Sequence, residues 1–219
     1  MSEIMEHEIN KLKKMVSQIS TKVEESLNLS IKALMNSDSI LANNIIDSDH
    51  EIDSIEIDIE EECLKILALH QPVAIDLRYI ISILKINNDL ERIGDLSTNI
   101  SRVVILLSES SKIDIPDEIN IMSDIVSKML KNSLDALFNK KLDLAISVQK
   151  MDDKVDDINS KMHNLIQNKI SNDSHDSIQL MKLLSISRYL ERTADHCTNI
   201  AEDVEYLING EITRHHLDS

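Results

Sequence analysis

A repeat at a spacing of about a hundred residues constrains this chain more than any other feature, because whatever the first half folds into, the second half must fold into as well. Ala33-Leu34 recurs as Ala136-Leu137, Asn36 as Asn139 and Leu41-Ala42 as Leu144-Ala145, each 103 positions on. Further along, the offset is 100, pairing Glu91 with Glu191 and Asn99 with Asn199, so the second copy is three residues shorter between the matched regions. A unit of this length is a small domain in its own right, well beyond the roughly 20–50 residues of a solenoid repeat.

The content of each copy points to helices. Two Gly and two Pro in 219 residues leave almost no turn-forming material, which a sheet with many tight turns needs. Apolar residues recur at helical steps from about Glu3 to Asn36 through Ile4, Leu12, Met15, Ile19, Val23, Leu27, Ile31 and Leu34. Ser37 and Asp38 offer a break with capping side chains, and Ile45, Ile52, Ile55, Ile59, Cys63 and Ile66 carry a second helix to about Leu69. Gln71-Pro72 ends it, and a third helix is expected from about Pro72, since proline suits a helix's first turn, to Leu107. Ser108 to Asp117 is polar, contains the second proline and reads as a linker. Helices follow at about Glu118 to Asn139, Leu142 to Ile170 and Asp176 to Ile208, with a polar turn at Ser171 to His175 and a tail after Gly210 expected to fray or dock loosely. The expected architecture is all-α: six long helices in two tandem three-helix bundles, residues 1–109 and 117–219, related by pseudo-twofold symmetry.

The third helix of each copy carries an acid ladder. Glu91, Asp95 and Asn99 stand four apart and project from one side of a helix, and Glu191, Asp195 and Asn199 repeat that side. An apolar stripe through Ile86, Leu90, Ile93, Ile100 and Val104 runs beside the first ladder. In the middle helices the 103-residue offset pairs Asp49 with Asp152 and Asp53 with Asp156, again acids one turn apart. If the ladders of neighbouring helices face each other, each bundle gathers four carboxylates around one place. Like charges so placed need a compensating cation, and aligned oxygens are what a hard or borderline metal ion takes. From the residues alone a second reading stands beside this one: acid runs on helices are most often solvated faces, and Arg78, Arg92, Arg188 and Arg192 are available to pair with them.

Charge narrows the partners. Lys plus Arg at 23 against Asp plus Glu at 39 leaves −16, which repels phosphate backbones and anionic membrane surfaces, so neither nucleic acid nor direct membrane insertion is expected. The longest purely aliphatic run, Val103 to Leu107, is far too short to span a bilayer, and no basic-then-apolar leader opens the chain; a cytoplasmic location is the expectation. Cys63 and Cys197 lack metal-finger spacing and read as buried small hydrophobes, and the nine Met as core filler in a chain only 2% aromatic. His196, at the position of Leu96, reads as a packed histidine; His215 and His216 lie in the tail.

Gln71-Pro72-Val73-Ala74-Ile75-Asp76-Leu77-Arg78, then Leu90-Glu91-Arg92-Ile93-Gly94-Asp95, and later Tyr189-Leu190-Glu191-Arg192, Asp195-His196, Asn199-Ile200-Ala201-Glu202 and Gly210-Glu211-Ile212, resemble the PhoU family over essentially the whole chain. The resemblance implies a non-enzymatic cytoplasmic regulator of phosphate uptake. Such a protein associates with the ATPase of the phosphate ABC transporter and with the phosphate sensor histidine kinase, acts negatively on both when phosphate is ample, and is often a homodimer. It also implies metal clusters, iron or zinc foremost, on paired Glu/Asp-x-x-x-Asp motifs, here Asp49, Asp53, Glu91 and Asp95 in one half and Asp152, Asp156, Glu191 and Asp195 in the other. Asn88, Asn99, Asn199 and Glu202 stand as further oxygen donors beside them, and Asp76 and Arg78 as a partner surface. An all-oxygen site also accepts magnesium or manganese.

The second copy departs from the pattern. It lacks the Gln-Pro-Val-Ala-x-Asp-Leu-Arg segment, has Ala194 for Gly94, and places Arg188 where the first copy has Asn88, a cation beside the second acid set. Two other classes of function are distinguishable in principle. A di-metal carboxylate enzyme on a helical bundle uses Glu-x-x-His, but none of the eight histidines has Glu three residues before it, and His50 has Asp47. A metal-free acidic adaptor would use the same faces to bind basic patches.

Overall fold

The computed structural model describes residues 3–109, 113–173 and 175–210. Six helices account for nearly all of them: α1 (Glu3–Asn36), α2 (Ser39–His70), α3 (Ala74–Ser108), α4 (Asp117–Asn139), α5 (Leu142–Asn172) and α6 (Ser177–Asn209). Helices α1–α3 form one antiparallel bundle and α4–α6 the other. The bundles join mainly along α3 and α6, with a shorter contact between α1 and α4.

Local chemistry accounts for the breaks. Asp38 caps α2, its carboxylate accepting the Leu41 N–H at 2.9 Å, while Ser37 takes a left-handed backbone (φ 52°) that ends α1. The second copy repeats the turn 103 residues on, with Lys140 left-handed at φ 53° and Lys141 in the capping position, where no side chain caps the helix. Between α2 and α3 the expectation is corrected. Pro72 lies in the connection and does not start the helix; Gln71 and Ala74 both take left-handed backbone and Val73 stands at the cap. Helix α5 runs two residues into the polar stretch expected as a turn, to Asn172, and Asp173 then takes extended backbone as its cap, with His175 in a turn. The tail after Gly210, with His215 and His216, and residues 110–112 of the linker lie outside the described residues.

The interior is aliphatic and continuous from one bundle to the other, from Leu12, Ile19 and Leu27 of α1 through Ile83, Leu90 and Ile93 of α3 to Leu183, Leu190 and Ile200 of α6. Ile4 differs from its expected role and is mostly exposed, as is Met181. Helix α3 touches α1, α2 and α6, so it is buried on several sides, and two of its buried serines bond back to their own helix: Ser97 donates to the Ile93 carbonyl at 2.8 Å and Ser101 to the Ser97 carbonyl at 3.0 Å. Both cysteines are buried, and burial first, then nearby acids, pushes both thiols up, Cys63 to about 12. They stay protonated and pack as small hydrophobes.

Gly94 lets α2 and α3 approach. A Cβ there would stand 3.1 Å from Ile52 Cδ1 and 3.8 Å from Asp49 Oδ1. The close atom is the end of a flexible side chain, and the second copy already carries buried Ala194 at this position. Gly94→Ala is therefore expected to change stability by less than about 1 kcal/mol, the gain in helix propensity offsetting a small shift of Ile52. Urea unfolding checks this, and a large loss would show that Ile52 has nowhere to go.

Candidate functional site

Two turns of α2 and two of α3 carry the first acid set. The i, i+4 spacing places Asp49 and Asp53 on one helix and Glu91 and Asp95 on the next, and the two pairs lie near enough to act on each other electrostatically. Burial, and then the neighbouring Asp53 and Asp95 carboxylates, raise the affinity of Asp49 for its proton, opposed by the Thr98 hydroxyl and Arg102. Burial, followed by Asp95, Asp53 and Glu56, does the same to Glu91 against the pull of Arg92. Arg92 spans the ladder on its own helix, with Nε 3.4 Å from Glu91 Oε2 and Nη1 3.2 Å from Asp95 Oδ2. The contact with Glu91 is an ion pair without a hydrogen bond: Glu91 Oε2 is buried and accepts none among the described residues.

The second set is built alike on α5 and α6. Burial, then Asp195, Asp156 and Asp153, push Asp152 up to about 6, with the Thr198 hydroxyl acting the other way. Asp195 is raised by burial and Asp156, and Glu191 by burial, Asp195 and Asp156. Arg188 and Arg192 both lie close enough to Glu191 to favour its ionised form. In each half, then, acids from adjacent helices repel one another across a half-buried face. Among the described residues no three Asp, Glu, His or Cys side chains are already drawn about one point as a ligand set.

Glu56 belongs to the first face and was missed. It lies one turn beyond Asp53, and burial, Glu60 and Asp53 raise its carboxyl, while Asn87 Nδ2 donates to its backbone oxygen at 2.9 Å. The signal was in the sequence, since three residues also bring side chains to one helix face. Its counterpart 103 residues on is Asn159, which accepts the Ser187 hydroxyl at 2.8 Å. The first half thus has a fifth acid where the second has an amide.

The additional donors sit elsewhere. Asn99 accepts from Arg102 at 2.9 Å. Asn199 Nδ2 reaches Asp89 Oδ1 at 3.2 Å across the bundle junction, where His196 Nδ1 also meets Asp89 at 2.8 Å. His196 is packed as expected, but as half of a polar bridge between α3 and α6. Asn88 lines a cleft beside that bridge with Lys85 and Asp89, and Glu202 is half-buried on α6. Asp76 and Arg78 lie in the first turns of α3, next to exposed Val73 and Ile75, and the Arg78 guanidinium stands 5.9 Å from the Tyr206 ring centre. Among the described residues no helix is long and apolar enough to cross a membrane.

A duplicated helical scaffold with one acid-lined face per bundle is the class that this geometry defines. The PhoU domain matches the chain twice, over residues 16–104 and 119–204. The phosphate-specific transport system accessory protein PhoU homolog 1 of Thermotoga maritima is 36% identical over 206 residues, covering 94% of this chain and 89% of its own. The crystal structure of PhoU from Pseudomonas aeruginosa superimposes with a TM-score of 0.92 at 35% identity, covering 94% of this chain and 99% of that one. That of the phosphate transport system regulatory protein PhoU from Streptococcus pneumoniae does so with a TM-score of 0.89 at 29% identity, over 96% and 100%. The chain belongs to the PhoU family.

Proposed function

We propose that this chain is a non-enzymatic accessory protein of phosphate uptake, acting in the cytoplasm as a homodimer to restrain the phosphate ABC transporter through its ATPase and the phosphate response through its sensor histidine kinase. The observation that carries the reading is the match of both repeats, over nearly the whole chain, to relatives named as accessory proteins of the phosphate-specific transport system. Asp76 and Arg78, with exposed Val73 and Ile75 around them, are the proposed partner surface. Co-purification from phosphate-rich and phosphate-starved cells tests it: the ATPase or the kinase should be recovered with the chain, and recovery of neither at any phosphate level overturns the reading.

The acid faces fit a cation. Their donors are all oxygen, they repel one another, and buried Glu91 Oε2 accepts no hydrogen bond among the described residues, its one cationic neighbour there being Arg92 Nε at 3.4 Å. Asp49, Asp53, Glu91 and Asp95 would hold ions in the first half, with Glu56 at hand, and Asp152, Asp156, Glu191 and Asp195 in the second. Iron or zinc is proposed first, with magnesium or manganese admissible on the same oxygens. When bound, the ion supplies neutralising charge and open positions for an anion or a partner's carboxylate. Binding would require side-chain rotation that draws the carboxylates inward. Elemental analysis of protein purified without a chelator or metal-affinity step should find metal. The double variant Asp95→Asn, Asp195→Asn should lower that content with helicity unchanged; the same content in both would remove these residues from the site.

A further inference from the structure

A pocket of about 390 Å³ lies where the N-terminal part of α1, the start of α3, the end of α4 and the end of α6 come together, within the range of roughly 300–1,000 Å³ typical of small-molecule sites. It shares no residue with the acid faces. Its lining inverts the charge of the chain: Lys13, Arg78 and Lys140 border it against Asp76, in a protein that carries −16 overall. Among the described residues none of the three cations is ion-paired with a carboxylate. Two of them stand over rings instead. Lys13 Nζ stands 5.9 Å from the Tyr79 ring centre and the Arg78 guanidinium 5.9 Å from that of Tyr206.

The guanidinium has a prepared seat. Gly210 ends α6 at φ 80°, and a Cβ there would lie 2.1 Å from Arg78 Nη1, so a side chain at 210 would displace the fork from this position. An arginine fork in a pocket that two lysines also line suits a tetrahedral dianion. Tyr79, whose burial keeps the phenol neutral, forms an apolar wall together with Leu207 and Ile208.

We propose that this pocket binds an organic phosphate ester, with the phosphoryl group on Arg78, Lys13 and Lys140 and the organic body against Tyr79 and the end of α6. Isothermal titration of the full chain with phenyl phosphate, inorganic phosphate and phenol tests this. A chelator is kept present so that an anion carried by metal on the acid faces contributes nothing. Phenyl phosphate should saturate, inorganic phosphate should bind more weakly and phenol should not bind. Lys13→Gln, an exposed change that leaves the fold intact, and Arg78→Gln should each weaken phenyl phosphate about tenfold or more, the loss of one charge-assisted contact. Circular dichroism confirms that each variant is folded. Inorganic phosphate binding as tightly as the ester, no saturable binding of the ester, or an affinity untouched by either substitution in folded protein overturns the proposal.

Discussion

Adding ferrous iron or manganese to metal-free protein at about pH 7 is expected to raise its melting temperature by roughly 8–16 °C when the free ion is at about a thousand times its dissociation constant. That excess corresponds to about 4 kcal/mol, and each kcal/mol moves a chain of this size by about 2–4 °C. The pH dependence distinguishes a cation among the carboxylates from a cation elsewhere. Asp152 is pushed up to about 6 by burial and by Asp195, Asp156 and Asp153, and Asp49, Glu56, Glu91, Glu191 and Asp195 shift in the same direction. A carboxyl whose folded value is raised contributes stability below its unfolded value and loses it as pH rises through the folded one. The metal-free protein should therefore be more stable at about pH 5 than at about pH 7, and Asp152→Asn should flatten that slope. Glu62 works the other way. Its burial is outweighed by contacts with Glu8, Lys11 and Lys65 that hold it at about 2, so its contribution is present above its unfolded value and lost only as pH falls towards 2. Added metal should stabilise far less at about pH 5, where protons compete for the same oxygens. Equal stabilisation at both pH values would place the ion away from these acids.

Truncating Leu90 to alanine is expected to cost about 2–5 kcal/mol, the range for emptying a fully buried leucine site. Leu90 is wholly enclosed in α3, the helix that packs on α1, α2 and α6 and so takes part in both bundles and their junction. The urea midpoint should fall while the slope of the transition stays as it was, with both halves unfolding together. Two separated transitions in the variant would mean that the halves hold themselves up independently. The acids are untouched by this change, so metal content at saturating ion should change little.

Much of this molecule was legible in its sequence because helices declare themselves through periodicity. The steps from Leu12 to Leu34 and from Ile45 to Ile66 mark one buried stripe each, and Asp38 announces a cap that the backbone then uses. The repeat carried the same reading into the second half, down to the left-handed residue at Ser37 and Lys140. The start of α3 was misread because a rule for isolated helices, proline in the first turn, gave way to a connection that turns twice through left-handed backbone at Gln71 and Ala74. The acid ladders were visible because carboxylates one turn apart share a face. That the two ladders of each half face each other depended on how the helices rotate, which spacing alone leaves free. Glu56 was within reach by the same arithmetic at a step of three. The bridge from Asp89 to His196 was not, since its partners are 107 positions apart and no local pattern connects them.

Because the aliphatic interior runs unbroken from α1 to α6, and α3 and α6 lie against each other along that interior, the two halves behave mechanically as one beam. A twist applied to α3 at one end has to be absorbed by α6, whose own acids lie on the opposite half. Duplication within one chain has thus produced two stations on a common axle, and turning one should be felt at the other.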